Sequence, residues 1–94
     1  MAAKIEVKKS GDNSWEVHII EGKSESSHRV TLADKDYSRL TNGNITAEEL
    51  IRRSFEFLLE HESKESILGR FDLTVISCYF PQYEREIKSR ITSA

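Results

Sequence analysis

The histidines are the first residues to examine for metal chemistry, and the chain has three: His18, His28 and His61. Zinc sites on a helix face or in a loop place their ligands a few residues apart, and these histidines are widely separated. Two predicted strands bring His18 and His28 within reach of each other, but no carboxylate or cysteine is placed to complete a ligand set. We therefore predict structural roles for the histidines and no metal site.

The single cysteine, Cys78, is the candidate nucleophile. It lies in an apolar stretch between Val75 and Phe80, where a buried thiol packs as a small hydrophobic side chain. We therefore predict a core cysteine and no thiolate chemistry. A lone cysteine also excludes an internal disulfide and is typical of a protein from a reducing compartment.

Phosphate binding and acid–base catalysis have weak support in the sequence. The glycines are dispersed and form no phosphate-binding loop: Gly11, Gly22, Gly43 and Gly69. Neighbouring carboxylates such as Glu48 and Glu49 lie at a predicted helix start, where such groups are normally solvated. We predict no cofactor and no enzymatic activity.

Three segments near the N-terminus alternate apolar and polar residues with the period of a half-buried strand. They are residues 4–8, 15–20 and 28–32, and turn-forming or polar residues separate them. Short connections favour pairing between neighbours in the chain. We therefore predict a three-stranded antiparallel meander within residues 4–32.

Residues 45–63 carry the strongest helix signals in the chain. Thr46 and Glu49 have the spacing of a capping box, in which hydroxyl and carboxylate each accept a backbone N–H. Apolar residues then recur at steps of three and four from Leu50 to Leu58, and charged residues cover the other side. The pattern predicts a core helix that begins at this cap.

Shorter helices are predicted on both sides of the central one. Residues 33–41 end at Asn42 and Gly43, which suit a left-handed closing position. Ser63 can cap a short turn that carries Ile67, Leu68 and Phe71 and is broken near Gly69, and Asp72 can cap a further one. Pro81 closes the second of these and is the predicted first residue of a last helix. The result is about four helices within residues 33–91, and an α+β fold for residues 1–94.

The bulk composition indicates one domain with a thin core. The chain has 94 residues, 37% hydrophobic and 32% charged, with a net charge of −2. That length permits one hydrophobic core, and the low apolar content predicts a core that is either thin or completed by a partner. No apolar run is long enough to span a membrane and no signal peptide is evident, so we expect a cytoplasmic protein without membrane contact.

Residues 28–62 contain a short strand, a helix, a turn and a longer amphipathic helix. This order resembles the ribbon–helix–helix unit of Arc-type repressors and many antitoxins. The resemblance implies a dimer whose paired strands enter the major groove of DNA, with Arg29 and Thr31 contacting bases. It also implies that Thr46 and Ala47, at the start of the second helix, hold a phosphate.

The chain departs from that family in three respects. Residues 33–45 are about one turn shorter than the family pattern. In addition, the predicted strand at residues 15–20 pairs with the strand at residues 28–32, which in the family would pair with a second subunit. Residues 33–62 carry four basic against seven acidic side chains, whereas phosphate binding requires an excess of Lys and Arg. The Gly-containing start motif of HicB antitoxins, which also begin with strands, is not evident. Nucleic acid is therefore not the expected partner, and DNA binding is the alternative function.

Residues 71–91 are rich in aromatic side chains and allow two interpretations. Val75, Ile76, Tyr79 and Phe80 can close the core over the central helix. Alternatively the segment is a partner-binding surface, formed by Tyr79 with residues of the last helix: Tyr83 and Ile87. We expect Phe80 in the core and Tyr83 at the interface. The segment also resembles short uncharacterised bacterial proteins that end in a Y-F-P-x-Y-E-like run, a resemblance that implies no activity.

The sequence thus favours a small non-catalytic protein that binds another protein or a second copy of itself. A ribbon–helix–helix-like DNA-binding regulator or antitoxin is the alternative, and an enzyme comes third. Fold class alone decides none of these functions, so the site has to be located in the structure.

Overall fold

Alternating side chains build a sheet that is buried on one face and open on the other. The computed structural model describes residues 3–92. In chain order the elements are β1 (Lys4–Lys9), β2 (Ser14–Glu21), β3 (Ser24–Thr31), α1 (Asp34–Thr41), α2 (Ala47–His61), β4 (Arg70–Asp72), α3 (Ile76–Tyr79) and α4 (Tyr83–Thr92). Two 3-10 turns, Lys64–Ser66 and Leu73–Val75, flank β4. The predicted α+β class is confirmed.

The sheet has four strands in the order β1-β2-β3-β4. The first three are antiparallel, as predicted, but β4 joins β3 in parallel, so the prediction of a purely antiparallel three-stranded meander is wrong. We predicted a helical turn around Phe71, because a three-residue strand is too short to show a period. Tertiary contacts decide its conformation: Phe71 packs 5.9 Å from Phe55, measured between ring centroids.

The β2–β3 connection is shorter than the sequence suggested. Glu21 pairs with Ser24, which leaves a two-residue hairpin loop, and Gly22 supplies the positive φ of 62° that this tight turn needs. The polar residues that follow Gly22 are therefore strand residues, on a sheet with one solvent-exposed face.

Helix α2 forms as its capping signals predict. The Thr46 hydroxyl accepts the Glu49 N–H at 3.1 Å, which confirms the predicted start, although the Glu49 carboxylate pairs with Arg53. The buried side chains of the helix are Leu50, Ile51, Ser54, Phe55, Phe57 and Leu58. Arg52 also donates to the carbonyl oxygen of Ile5 at 2.7 Å, which ties α2 to the edge strand β1.

Helix α4 packs its apolar stripe against α2. The stripe consists of Tyr83, Ile87 and Ile91, all buried, and the Tyr83 hydroxyl lies 2.7 Å from the Ser54 hydroxyl. Ser54 donates to the Leu50 carbonyl, so it accepts from Tyr83, and both buried hydroxyls are satisfied. Burial raises the pKa of Tyr83, so the phenol stays neutral and able to donate.

This packing corrects several sequence predictions. Tyr83 and Ile87 are fully buried rather than placed at a surface, because residues four apart form one helical face and α2 covers that face. Helix α4 begins at Tyr83 rather than at Pro81. Cys78 is exposed rather than in the core, since α3 is a four-residue turn that buries Ile76 and leaves its other side open.

We predict that Tyr83 stabilises the fold. Tyr83→Ala should lower the free energy of unfolding by about 3–5 kcal/mol because it opens a large cavity between α2 and α4. Tyr83→Phe should cost only about 0.5–1.5 kcal/mol, because Ser54 keeps its bond to Leu50. Urea denaturation monitored by circular dichroism measures both.

Tyr79→Ala is the matched control, since Tyr79 is 66% exposed. It should change stability by no more than about 0.5 kcal/mol. A Tyr79 variant as unstable as the Tyr83 variant would contradict this assignment of core and surface.

Candidate functional site

An apolar groove lies between the end of α2, the segment before β4, and α3. Its volume is about 170 Å³. The lining residues are Leu58, Glu62, Ser66, Ile67, Leu68, Phe71, Val75, Ile76, Tyr79 and Phe80. We call this cleft the α3 groove.

The exposed apolar surface of the protein is concentrated at this groove. Leu68 is 44% exposed and Tyr79 is 66% exposed, and they are the large hydrophobic side chains that stand exposed among residues 3–92. Both line the groove. Scattered exposed apolar residues are normal on a protein surface, but two that flank one apolar cleft form a contiguous patch.

The size of the groove limits what it can hold. Pockets for drug-sized ligands and cofactors usually measure about 300–1,000 Å³. At about 170 Å³, the α3 groove is smaller than this range. It is of the right order for one apolar side chain of a partner, and interface hot spots are built from such side chains inserted into pockets.

His28 fixes the wall of the groove that carries Leu68. Its ring is buried, and Nδ1 lies 2.8 Å from the carbonyl oxygen of Leu68. A carbonyl oxygen only accepts hydrogen bonds, so Nδ1 carries a proton and donates it. Nε2 lies 2.8 Å from the Ser26 hydroxyl, and the ring packs on Phe55. His28 therefore anchors the segment before β4 to β3.

Lys64 anchors the other end of the same segment. Its side chain is buried and its ammonium group lies 3.2 Å from a Glu21 oxygen and 2.5 Å from a Glu65 oxygen. The hydrogen bond to Glu65 raises the pKa of Lys64, which keeps the amine charged. The segment that presents Leu68 is thus held at both ends.

Asp72 positions the α3 side of the groove. Its carboxylate accepts the Thr74 N–H at 3.1 Å and the Thr31 hydroxyl at 2.7 Å, which caps the 3-10 turn and joins it to β3. Partial burial opposes the charged form, but the hydrogen bonds from Thr74 and Thr31 outweigh it. The net effect is a lowered pKa of Asp72.

Aromatic rings close the end of the groove near α2. Phe80 is half-buried, and its ring meets Phe57 edge-on at 5.7 Å and His61 at 5.2 Å. We predicted that Phe80 lies in the core. In the structure its ring is partly buried and packs against the outside of the core. Of the three residues predicted for a partner surface, Tyr79 alone lies at the surface, while Tyr83 and Ile87 are buried beneath it.

The residues implied by the ribbon–helix–helix resemblance lie apart from this groove. Arg29 and Thr31 project from the open face of β3, where Arg29 pairs with Glu16 at 3.0 Å and Thr31 donates to Asp72. Thr46 and Ala47 are at the start of α2, where Thr46 serves as the cap. Strand β3 pairs with β2 on one side and β4 on the other.

The histidines do not come together. In the β2–β3 ladder His18 pairs with Ser27 and His28 with Val17, so the two rings point to opposite faces of the sheet. Within residues 3–92, no group of three or more His, Cys, Asp or Glu side chains is arranged to hold a metal ion.

Sequence reasoning missed Leu68 as a surface residue. Leu68 lies next to Gly69 and outside any periodic stretch. The one signal in the sequence for its exposure is that it is an apolar residue in a non-periodic segment. The sequence predicts a short helical turn in which Leu68 accompanies Ile67 and Phe71, and both of these are buried. The contrast in exposure between Ile67 and Leu68 depends on the path of the segment, which His28 and Lys64 set.

Neither a family model, nor a curated protein, nor a solved structure matches the chain. In the part of the chain that the structure describes, no helix combines the length and the apolar character needed to cross a membrane.

We predict that the Asp72 cap stabilises the protein in a pH-dependent way. Asp72→Ala should lower the free energy of unfolding at neutral pH by about 0.5–2 kcal/mol, because Thr74 and Thr31 lose their acceptor. The folded-state pKa lies below the ordinary 3.8, so this contribution is present above pH 3.8 and is lost as the pH falls through the folded-state value.

Denaturant midpoints measured from neutral to acid pH should therefore show the wild type approaching the Asp72 variant. Asp12→Ala, in the exposed β1–β2 turn, is the control and should show neither effect. A constant difference between wild type and Asp72→Ala at all pH values would contradict the role of the ionised carboxylate.

Proposed function

We propose that this protein is a non-catalytic protein-interaction module that binds a partner through the α3 groove. The observation that carries the proposal is the coincidence of Leu68 and Tyr79, exposed large hydrophobic side chains, on the two walls of one apolar cleft. Complete burial of a large apolar side chain contributes about 1.5–3 kcal/mol, and burying the parts of Leu68 and Tyr79 that are still exposed would contribute a fraction of that. Association would recover part of that free energy.

The supports of the groove favour a preformed binding site. Both ends of the Leu68 segment are fixed by polar contacts with buried side chains, and the Asp72 cap fixes the start of the Tyr79 segment. A preformed cleft binds with a smaller loss of conformational entropy than a surface that must order on contact. Rigid presentation of an exposed tyrosine suits an anchor residue.

Partner capture from the source cell tests this proposal. The full chain and its Leu68→Ser and Tyr79→Ser variants should be immobilised in equal amounts, after circular dichroism has shown equal folding. We expect a partner that is retained by the wild type and lost from both variants, because each variant removes an apolar contact at the centre of the interface.

Ile20→Ser is the matched control, because Ile20 is a partly exposed apolar residue on the open face of β2, away from the groove. It should retain the partner. Loss of the partner from this variant alone, or retention by all three variants, would rule out the α3 groove as the contact.

DNA binding is a second candidate, and the open face of the sheet favours it. Arg29 and Arg70 are register neighbours there, and with His18 they line a polar cavity of about 360 Å³. The net charge of −2 opposes the approach of a polyanion. We accordingly rank this function below protein binding.

We predict little binding to duplex DNA at physiological salt. Fluorescence anisotropy over a range of salt concentrations measures it, since true phosphate contacts give an affinity that falls steeply with salt. Submicromolar, sequence-selective binding that disappears in Arg29→Ala would reverse our ranking. Arg85→Ala, an exposed arginine on α4, is the control for loss of charge alone.

A further inference from the structure

Among residues 3–92, no strand pairs with the outer edge of β4, which lies beside the α3 groove. β4 is the last strand in the sheet order, and β3 occupies one of its sides. The Arg29 N–H donates to the Gly69 carbonyl oxygen at 2.8 Å, so the Gly69 carbonyl faces β3. Backbone groups alternate in direction along a strand. The N–H and C=O groups of Phe71 therefore point towards β3, and those of Arg70 point towards the outer edge.

The other edge of the sheet is blocked. On β1, the Ile5 carbonyl oxygen accepts a hydrogen bond from Arg52, and the strand carries the lysines Lys4, Lys8 and Lys9. Lysines and covered backbone groups are the usual protection of an edge strand against pairing. β4 has a single basic residue, Arg70. Its edge is therefore less protected than the edge of β1 against pairing with a further strand.

The side chains of β4 indicate what such a strand would carry. Phe71 lines the groove, while Arg70 is exposed on the open face. Because side chains alternate between faces, a strand added beside β4 would direct one side chain into the groove and its neighbour towards Arg70. Arg29, the register neighbour of Arg70, is already paired with Glu16, and Arg70 has no ion-pair partner within residues 3–92. An acidic side chain there is favoured.

We propose that the occupant of the α3 groove is an extended segment of a partner protein that adds as a strand to β4. One apolar side chain of the segment fills the groove, and an adjacent acidic side chain pairs with Arg70. This inference rests on the proposed function and specifies its partner. A second copy of the chain is disfavoured, since two exposed hydrophobic side chains provide little of the 2,000 Å² or so that obligate dimers commonly bury.

A phage-displayed library of random linear peptides, selected against the full chain, tests the proposal. We expect enriched peptides in which an apolar residue adjoins an acidic one. Synthetic versions of these peptides should protect the Arg70 and Asp72 amides from hydrogen exchange, because both N–H groups lie on the outer edge. Their affinity should fall about tenfold in Arg70→Pro, which removes the outer donor, and less in Arg70→Ala, which keeps it.

The peptide itself provides a second measurement if Arg70→Pro impairs folding. Methylation of the backbone nitrogen that would donate to Arg70 should weaken binding about tenfold, while methylation one residue along, on the solvent side, should not. Leu68→Ser and Tyr79→Ser should weaken binding of the same peptides.

The outcomes separate the two proposals. Peptides that require Leu68 and Tyr79 but bind as helices, or tolerate Arg70→Pro and backbone methylation, overturn strand addition and leave the groove as a binding site. Peptides that are indifferent to Leu68 and Tyr79, or a selection that yields no binder, overturn both. Concentration-dependent dimerisation in sedimentation that Arg70→Pro abolishes would assign the edge to a second copy and overturn the partner segment.

Discussion

The central helix α2 has to bury apolar side chains in two directions, and the rest of the fold depends on this constraint. One side of α2 faces the sheet, where Phe55 meets Phe71 and His28, and the other faces α4, where Phe57 meets Tyr83. A helix covered on two sides cannot place all its polar groups in water. Ser54 resolves this conflict, because it bonds to its own backbone and to Tyr83. Among residues 3–92, every buried side-chain nitrogen or oxygen has a hydrogen-bond partner.

Local signals in the sequence were sufficient for the elements that are stabilised locally. The Thr46 cap, the left-handed Asn42 at the end of α1 and the alternation in β1 and β2 all rest on neighbouring residues, and each was predicted. β4 was missed because its conformation comes from contacts with β3 rather than from its own three residues. Tyr83 was misplaced for a related reason. Aromatic residues occur both in interfaces and in cores, and only the position of α2 shows that Tyr83 belongs to the core.

The candidate site was the least predictable part of the molecule. Tyr79 was identified by residue type, but its companion Leu68 comes from a segment without any period. That segment takes its path from His28 and Lys64, polar residues whose burial no sequence pattern indicated. Buried polar side chains are costly unless they are paired, and two of the contacts here, His28 with Leu68 and Lys64 with Glu21, join distant parts of the chain. The groove is therefore a product of tertiary packing, although most of its lining residues are ordinary core types.

The parallel pairing of β4 with β3 also affects the order in which the chain can fold. Thr31 and Asp72 are 41 residues apart in the chain, and helices α1 and α2 lie between them. Closing a loop of that length carries an entropic cost before any contact compensates for it, whereas the β1–β2–β3 hairpins and α2 form from nearby residues. We therefore expect β4 to dock late, onto a sheet and helix that have already formed. The groove, which Phe71 of β4 helps to line, is then expected to be complete only at this last step of folding.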